Sequence, residues 1–166
     1  DYCHTKVTYN SQDPSATVNF SRSGLGKEKI CDVLVRANYL INVPIMKGHS
    51  CAGITLGFKN HFGTIDNPGG LHNYAFYVSG CGGGYVSGYS PLVDIYKNSN
   101  ILNKTVLTIG DGIFGALGAE DAAPTAWSTF NNYVPQSLFF ARDPVAIDSV
   151  MADFLRLERI YPAGSD

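Results

Sequence analysis

Short blocks of apolar residues, separated by turn residues, run along the chain and predict alternating strands and helices. Four blocks are rich in the β-branched and aromatic residues that favour strands, at residues 17–20, 39–44, 104–110 and 137–141. Four others begin at proline or space their apolar residues as one face of a helix does, at residues 27–36, 54–62, 91–96 and 144–159. Before the last of these, Asp143 is a candidate N-cap, with Pro144 at the first helical position.

The order of these elements predicts a layered α/β domain with a mostly parallel sheet and flanking helices. A Gly- and Tyr-rich insertion interrupts it at residues 64–89. The length of 166 residues and the hydrophobic content of 45% suit one domain over residues 1–166. The chain begins without Met or a signal segment, so we expect part of a longer precursor and an incomplete domain.

The charge balance excludes some classes of partner. The net charge is −2 and charged residues make up only 16% of the chain, so no basic surface for nucleic acid is expected. No apolar run reaches the roughly 20 residues that span a bilayer. A composition that favours Gly, Tyr, Asn and Ser over Lys and Glu predicts a soluble protein that is extracytoplasmic or secreted.

The four cysteines are Cys3, Cys31, Cys51 and Cys81. They permit two disulfides in three possible connectivities, and buried free thiols are an equal alternative. None forms a Cys-x-x-Cys pair, which argues against a zinc knuckle or a thioredoxin-like motif.

Basic and amide side chains follow the predicted strand at residues 39–44. Lys47 and His49 come directly after it, at the end of a strand where open α/β sheets bind ligands. Lys59 and Asn60 lie one predicted helix later, and His72 follows in the insertion. A lysine can hold a phosphate or carboxylate group, and a neutral imidazole can bind a metal or move a proton. The alternative for each residue is a solvated loop position.

Asp111, Asp143 and Asp148 form another group of candidates, in which Asp143 is also the predicted N-cap. Asp111 directly follows the predicted strand at residues 104–110, which is a common place for a metal ligand and also for an ordinary turn. Asp148 lies on the apolar face of the last predicted helix, where an unpaired carboxylate would be costly. Its predicted partner is Lys59, Arg142, a metal or a backbone group.

Four blocks of sequence resemble motifs of one family and follow one another in the order that they have in that family. They are LINVPIMKGH at 40–49, GITLGFKNHFG at 53–63, DGI at 111–113 and FFARDPVAID at 139–148. Together they resemble the DUF362 family, a domain of unknown function that the resemblance places in bacteria and archaea, and they cover roughly residues 28–158. The resemblance implies an α/β fold and assigns no reaction. It marks seven candidate site residues: Lys47, His49, Lys59, Asn60, Asp111, Asp143 and Asp148.

Two functions remain open from the sequence. The first is a metal-assisted enzyme acting on a small anionic substrate, in which His49, His72 and Asp111 bind a divalent metal ion. Its catalytic residues would be Lys47, Lys59, Asn60 and Asp148. The two lysines would hold the anion. His61 would be structural or would support the metal ligands from the second shell. The second is a non-catalytic extracellular module that binds a ligand or self-associates through tyrosines such as Tyr85 and Tyr89. A redox role for the cysteines is a distant third.

Overall fold

The computed structural model describes residues 7–49, 51–75, 86–117 and 123–158. The strands are β1 (Thr17–Asn19), β2 (Lys27–Lys29), β3 (Leu40–Asn42), β4 (Ile45–His49), β5 (Gly53–Thr55), β6 (Thr105–Ala116) and β7 (Ser137–Ala141). The helices are α1 (Asp32–Arg36), α2 (Gly57–Asn60), α3 (His72–Ala75), α4 (Pro91–Tyr96), α5 (Ser99–Leu102) and α6 (Pro144–Leu157). Short 3-10 helices lie at Pro14–Ala16, His61–Thr64, Pro68–Leu71 and Ser128–Phe130.

A mixed five-stranded sheet organises the fold, and β6 is its central strand. β3 pairs with the first half of β6 and β4 with its second half, both in parallel. β7 pairs antiparallel with Thr108–Gly112 of β6, so β3 and β4 must share the opposite edge. β5 adds an antiparallel strand outside β4. The predicted α/β fold is therefore confirmed, with three parallel strands and an antiparallel strand on each side.

Two apolar cores lie on this framework. Helix α6 covers one face of the sheet, and its Met151 and Leu155 pack with Met46 and Trp127. Gly110 of β6 allows this close packing, because a Cβ atom there would collide with the sulfur of Met151. The second core joins β1, α1, α4 and α5 and includes the fully buried Ile30, Ile95 and Ile101.

Several predicted boundaries were wrong where strand pairing outweighed the local pattern. The predicted helix at residues 27–36 begins as β2, because Lys27–Lys29 pairs with β1, and only Asp32–Arg36 is helical. Gly48 and His49, expected in a loop after the strand at residues 39–44, belong to β4, and Gly53 begins its antiparallel partner β5. The predicted helix at 54–62 shortens to α2 for the same reason. β6 continues past Asp111 because β4 and β7 pair with it on both edges.

Other predicted elements were confirmed. The strand at residues 17–20, the strand at 137–141 and the helix at 91–96 match β1, β7 and α4. Asp143 caps α6 as predicted, since its Oδ1 accepts the backbone N–H groups of Val145 at 2.9 Å and Ala146 at 3.2 Å. No helix in the described ranges is long and apolar enough to cross a membrane.

Both predicted states of cysteine, the buried free thiol and the disulfide, occur among the described residues. Cys31 is a buried free thiol, and burial raises its pKa. Cys51 is disulfide-bonded. Cys3 and Cys81 lie outside the described residues.

Candidate functional site

Asp148 joins α6 to the start of α2. Its Oδ1 accepts the N–H of Gly57 at 2.7 Å, and its Oδ2 accepts the N–H of Phe58 at 3.0 Å. Of the partners predicted for this carboxylate, the backbone is the one the structure provides. Burial raises the pKa of Asp148, while the two N–H donors act in the opposite direction. The approach is so close that a Cβ at Gly57 would lie 2.7 Å from Oδ1.

Two asparagines extend this network into the sheet. The buried Asn42 of β3 donates its amide N–H to the Gly57 carbonyl at 3.0 Å and accepts the Asn60 amide N–H at 2.7 Å. Three of the four sequence blocks therefore meet around α2. Asn60 and Asp148, both predicted to be catalytic, hold α2 in place between β3 and α6.

The two predicted anion-binding lysines lie on different elements. Lys47 is inside β4, opposite Thr55 of β5, rather than in a loop after the strand. Lys59 is in α2, and its Nζ lies 5.5 Å from the centre of the Phe62 ring. Their role in binding an anion stays a prediction.

The three predicted metal ligands have separate surroundings. His49 Nδ1 accepts the N–H groups of Cys51 at 3.1 Å and Ala52 at 3.0 Å, so the neutral ring carries its proton on Nε2. His72 lies edge-on to Phe62, with ring centres 5.0 Å apart. Asp111 accepts the N–H of Ile113 at 3.0 Å, where the β4–β6 register is irregular.

These positions do not fit one metal centre. Asp111 lies opposite Ile45, four residues before His49 in β4, which separates the two along the strand by about 13 Å. Across the described ranges, no three His, Cys, Asp or Glu residues are grouped so that they could hold a metal ion. The divalent metal stays a prediction that this geometry does not support.

His61 is a buried histidine. It is only 2% exposed, and its ring lies edge-on to Tyr96 with centres 5.5 Å apart. Its Nε2 is buried without a hydrogen-bond partner. Burial lowers the pKa of His61 to about 4, so the ring is neutral at pH 7.

Glu28 is a second buried titrating group, and the sequence patterns did not single it out. It is 8% exposed in β2, and burial together with the neighbouring Asp66 carboxyl raises its pKa to about 7. Asp66 also accepts the N–H of Lys29 at 2.7 Å, which holds it beside the strand. The side chain of Glu28 therefore carries its proton over much of the mildly acidic range.

Tyr85 and Tyr89 are the tyrosines of the predicted contact surface. Tyr85 lies outside the described residues. Tyr89 is half-buried, and burial together with the Asp94 carboxylate raises the pKa of its hydroxyl. Residues 76–85 of the Gly- and Tyr-rich insertion that motivated a contact surface lie outside the described residues.

The most prominent surface is the sheet face opposite α6, which we call the open face. Paired residues share a face, and those paired with Gly110 and Thr108 lie beneath α6. The alternate residues point the other way and are exposed: Ile41, Val43, Ile45, Leu138 and Phe140. Leu107 and Ile109 of β6 lie between them and are half-buried. Alternation within β3, β4 and β7 is the signal that could have identified this face.

Three rows of paired residues make up the open face. The middle row contains Ile109 and Phe140, which are direct partners. One outer row contains Ile45, Asp111 and Leu138. The other outer row contains Ile41 and Leu107. Thr108 pairs with Ala141, the last residue of β7, so the exposed Arg142 follows the strand directly and lies near the level of Leu107.

Comparison with known proteins agrees with the four sequence blocks. A search of curated proteins and a search of solved structures each gave no match. One family model, described as a domain of unknown function (DUF362), matches residues 2–153. The match covers most of the chain and begins well before the first of the four blocks. The chain belongs to the DUF362 family.

Proposed function

We propose that this chain is a non-catalytic, self-assembling module whose open face binds the open face of a second copy. The observation that carries the proposal is the uncovered apolar side of the sheet. Sheets made only of parallel strands normally bury both faces, and the parallel strands at the centre of this mixed sheet are covered only on the α6 side among the described residues. A large exposed apolar patch marks an interaction site more often than an ordinary surface.

The size of the patch fits a two-chain interface. A fully exposed large apolar residue presents on the order of 180 Å², so five at about half exposure present roughly 500 Å². A standard interface takes about 800 Å² from each partner, of which about 60% is apolar. The open face supplies that apolar share, and the charged and polar residues around it supply the rest.

A second copy is the partner that fits the pattern best. Face-to-face packing of two sheets buries alternate residues of both in a layer about 10 Å thick. Each copy presents the same surface, and an isologous interface requires the same patch on both chains. Phe140, 61% exposed in the middle row, has the properties of an interface anchor.

The test is the mass of the purified chain in solution, measured by sedimentation across a wide range of concentration. The expected result is a species of about twice 17.9 kDa that dissociates on dilution. Ile45→Glu should abolish it, because assembly would bury an unpaired carboxylate. Val33→Glu is the matched control, since Val33 on α1 is 57% exposed and Ile45 is 53% exposed.

Either of two results would overturn the proposal. One is a wild-type chain that stays monomeric at every concentration. The other is an identical effect of Ile45→Glu and Val33→Glu. Circular dichroism of both variants establishes that each remains folded.

We also propose an extracytoplasmic location. The support is the disulfide at Cys51, because disulfides persist in oxidising compartments and are rare in the cytosol. His49 also accepts a hydrogen bond from the backbone N–H of Cys51 in the hairpin turn. The disulfide therefore adds a covalent link where a hydrogen bond already holds the chain.

A further inference from the structure

The open face carries two opposite charges at opposite ends of its apolar centre. Asp111 lies in one outer row, opposite Leu138 of β7. Arg142 lies four residues after Leu138, beside the other outer row, so about 13 Å of strand separates the two charges. The middle row of Ile109 and Phe140 lies between them. The inference drawn from these positions rests on the proposed function. The positions of the two charges distinguish the ways in which two copies can pair.

Two identical sheets packed face to face keep their strands roughly aligned, so the two-fold axis runs either along or across the strands. An axis along the strands places each row against the same row of the second copy. The two Asp111 carboxylates would then share one row, and the two Arg142 side chains another. Like charges brought together in an interface are disfavoured by several kcal/mol.

An axis across the strands, through the middle row, gives the opposite result. It places the row of Asp111 against the row of Leu107, where Arg142 of the second copy lies one strand away. The same rotation places Arg142 beside Asp111 of the second copy, so two symmetric ion pairs form. Phe140 lies on the axis and meets its own equivalent.

We infer that two copies assemble with antiparallel strands about an axis across the middle row, and that Asp111 of each chain pairs with Arg142 of the other. The apolar residues supply most of the affinity, and the two ion pairs select the orientation. The charges serve recognition between copies, and Asp111 needs no metal for this role.

Neutral variants test the pairing with little disturbance of the fold. Asp111→Asn keeps an oxygen that can accept the Ile113 N–H, and Arg142→Gln changes an exposed residue. Each should weaken dimerisation about tenfold at low salt, which corresponds to about 1.4 kcal/mol. In the double variant the second change should have less than about a twofold further effect, because the pair is already broken.

Charge reversal provides a second, independent measurement. Asp111→Arg alone and Arg142→Asp alone should each be monomeric, since each places like charges at both contacts. An equimolar mixture of the two should form a heterodimer. Recovery in the mixture also shows that both variants are folded.

The outcomes separate this inference from the proposed function. If Ile45→Glu abolishes the dimer while Asp111→Asn leaves it unchanged or tightens it, self-assembly stands and the crossed pairing is wrong. Single charge reversals that dimerise as well as wild type also overturn the crossed pairing. A wild-type chain that never dimerises refutes the proposed function itself.

Discussion

Protonation of His61 should destabilise the fold between pH 6.5 and pH 4. The side chain is buried, and its pKa falls from 6.5 to about 4 because burial disfavours the charged ring. In the unfolded chain the ring returns to its usual pKa and binds a proton more readily. The stability is therefore fully present above pH 6.5 and is lost as the pH falls towards 4.

The size of the effect follows from the difference between the two pKa values. Each unit is worth 1.36 kcal/mol, so the shift from 6.5 to about 4 predicts a loss of about 3 kcal/mol between pH 7 and pH 4. A loss of that size is a large part of the stability of a typical domain. Protonated His61 would also place an uncompensated charge beside the Tyr96 ring.

The assay is urea unfolding of wild type and His61→Phe at several pH values. The difference in unfolding free energy between the two proteins should change by about 3 kcal/mol from pH 7 to pH 4, in favour of the variant at low pH. Thr108→Val is the control, because the Thr108 hydroxyl is also buried without a hydrogen-bond partner but does not titrate. Its difference from wild type should be the same at every pH.

The titration of Glu28 should change the stability in the opposite direction, which provides a further check of the pH dependence. Its pKa is raised from 4.5 to about 7, so its contribution is present below pH 4.5 and is lost as the pH rises towards 7. Glu28→Gln should therefore steepen the loss of stability on acidification.

A His61→Phe difference that does not vary with pH would refute the reasoning, because it would mean that His61 titrates normally in the folded chain.

Two further predictions follow from the contacts described above. Asp148→Ala should cost about 3 kcal/mol in urea unfolding, because it leaves two N–H groups at the start of α2 without their charged acceptor. Asp153→Ala on the same helix should cost less than about 0.5 kcal/mol, since Asp153 forms only an exposed pair with Arg156, and equal costs would contradict the assigned role of Asp148. Alkylation of the denatured, unreduced chain should leave Cys51 unlabelled and label Cys31, with mass spectrometry of the peptides as the readout. Full labelling of Cys51 without reduction would contradict the disulfide and remove the support for an extracytoplasmic location.

Local chemistry determined the elements whose ends are encoded by neighbouring residues. Asp143 and Pro144 specified the start of α6, because a side-chain acceptor and a proline suit the first helical turn. The strand residues of β1 and β7 were also recognisable, since turn residues bound them. The four blocks were sufficient to place the chain in its family, because their order is specific even though each block alone is weak.

Tertiary pairing decided what the local pattern left open. Lys27–Lys29 became a strand because β1 offered it a partner, and β6 ran past Asp111 because strands paired with both of its edges. The partner of Asp148 lies 91 residues away in the chain, at Gly57, so no spacing rule within α6 could identify it.

The sequence by itself determined the fold class, the family and the start of the last helix. Only the tertiary structure decided which candidate residues meet and which face of the sheet stays uncovered. The physical reason is that burial depends on the neighbours each strand acquires. The same alternating residues of β3 and β4 would be buried core residues if a helix covered them. In the described structure only the α6 side has such a cover, and the apolar residues on the other side are exposed.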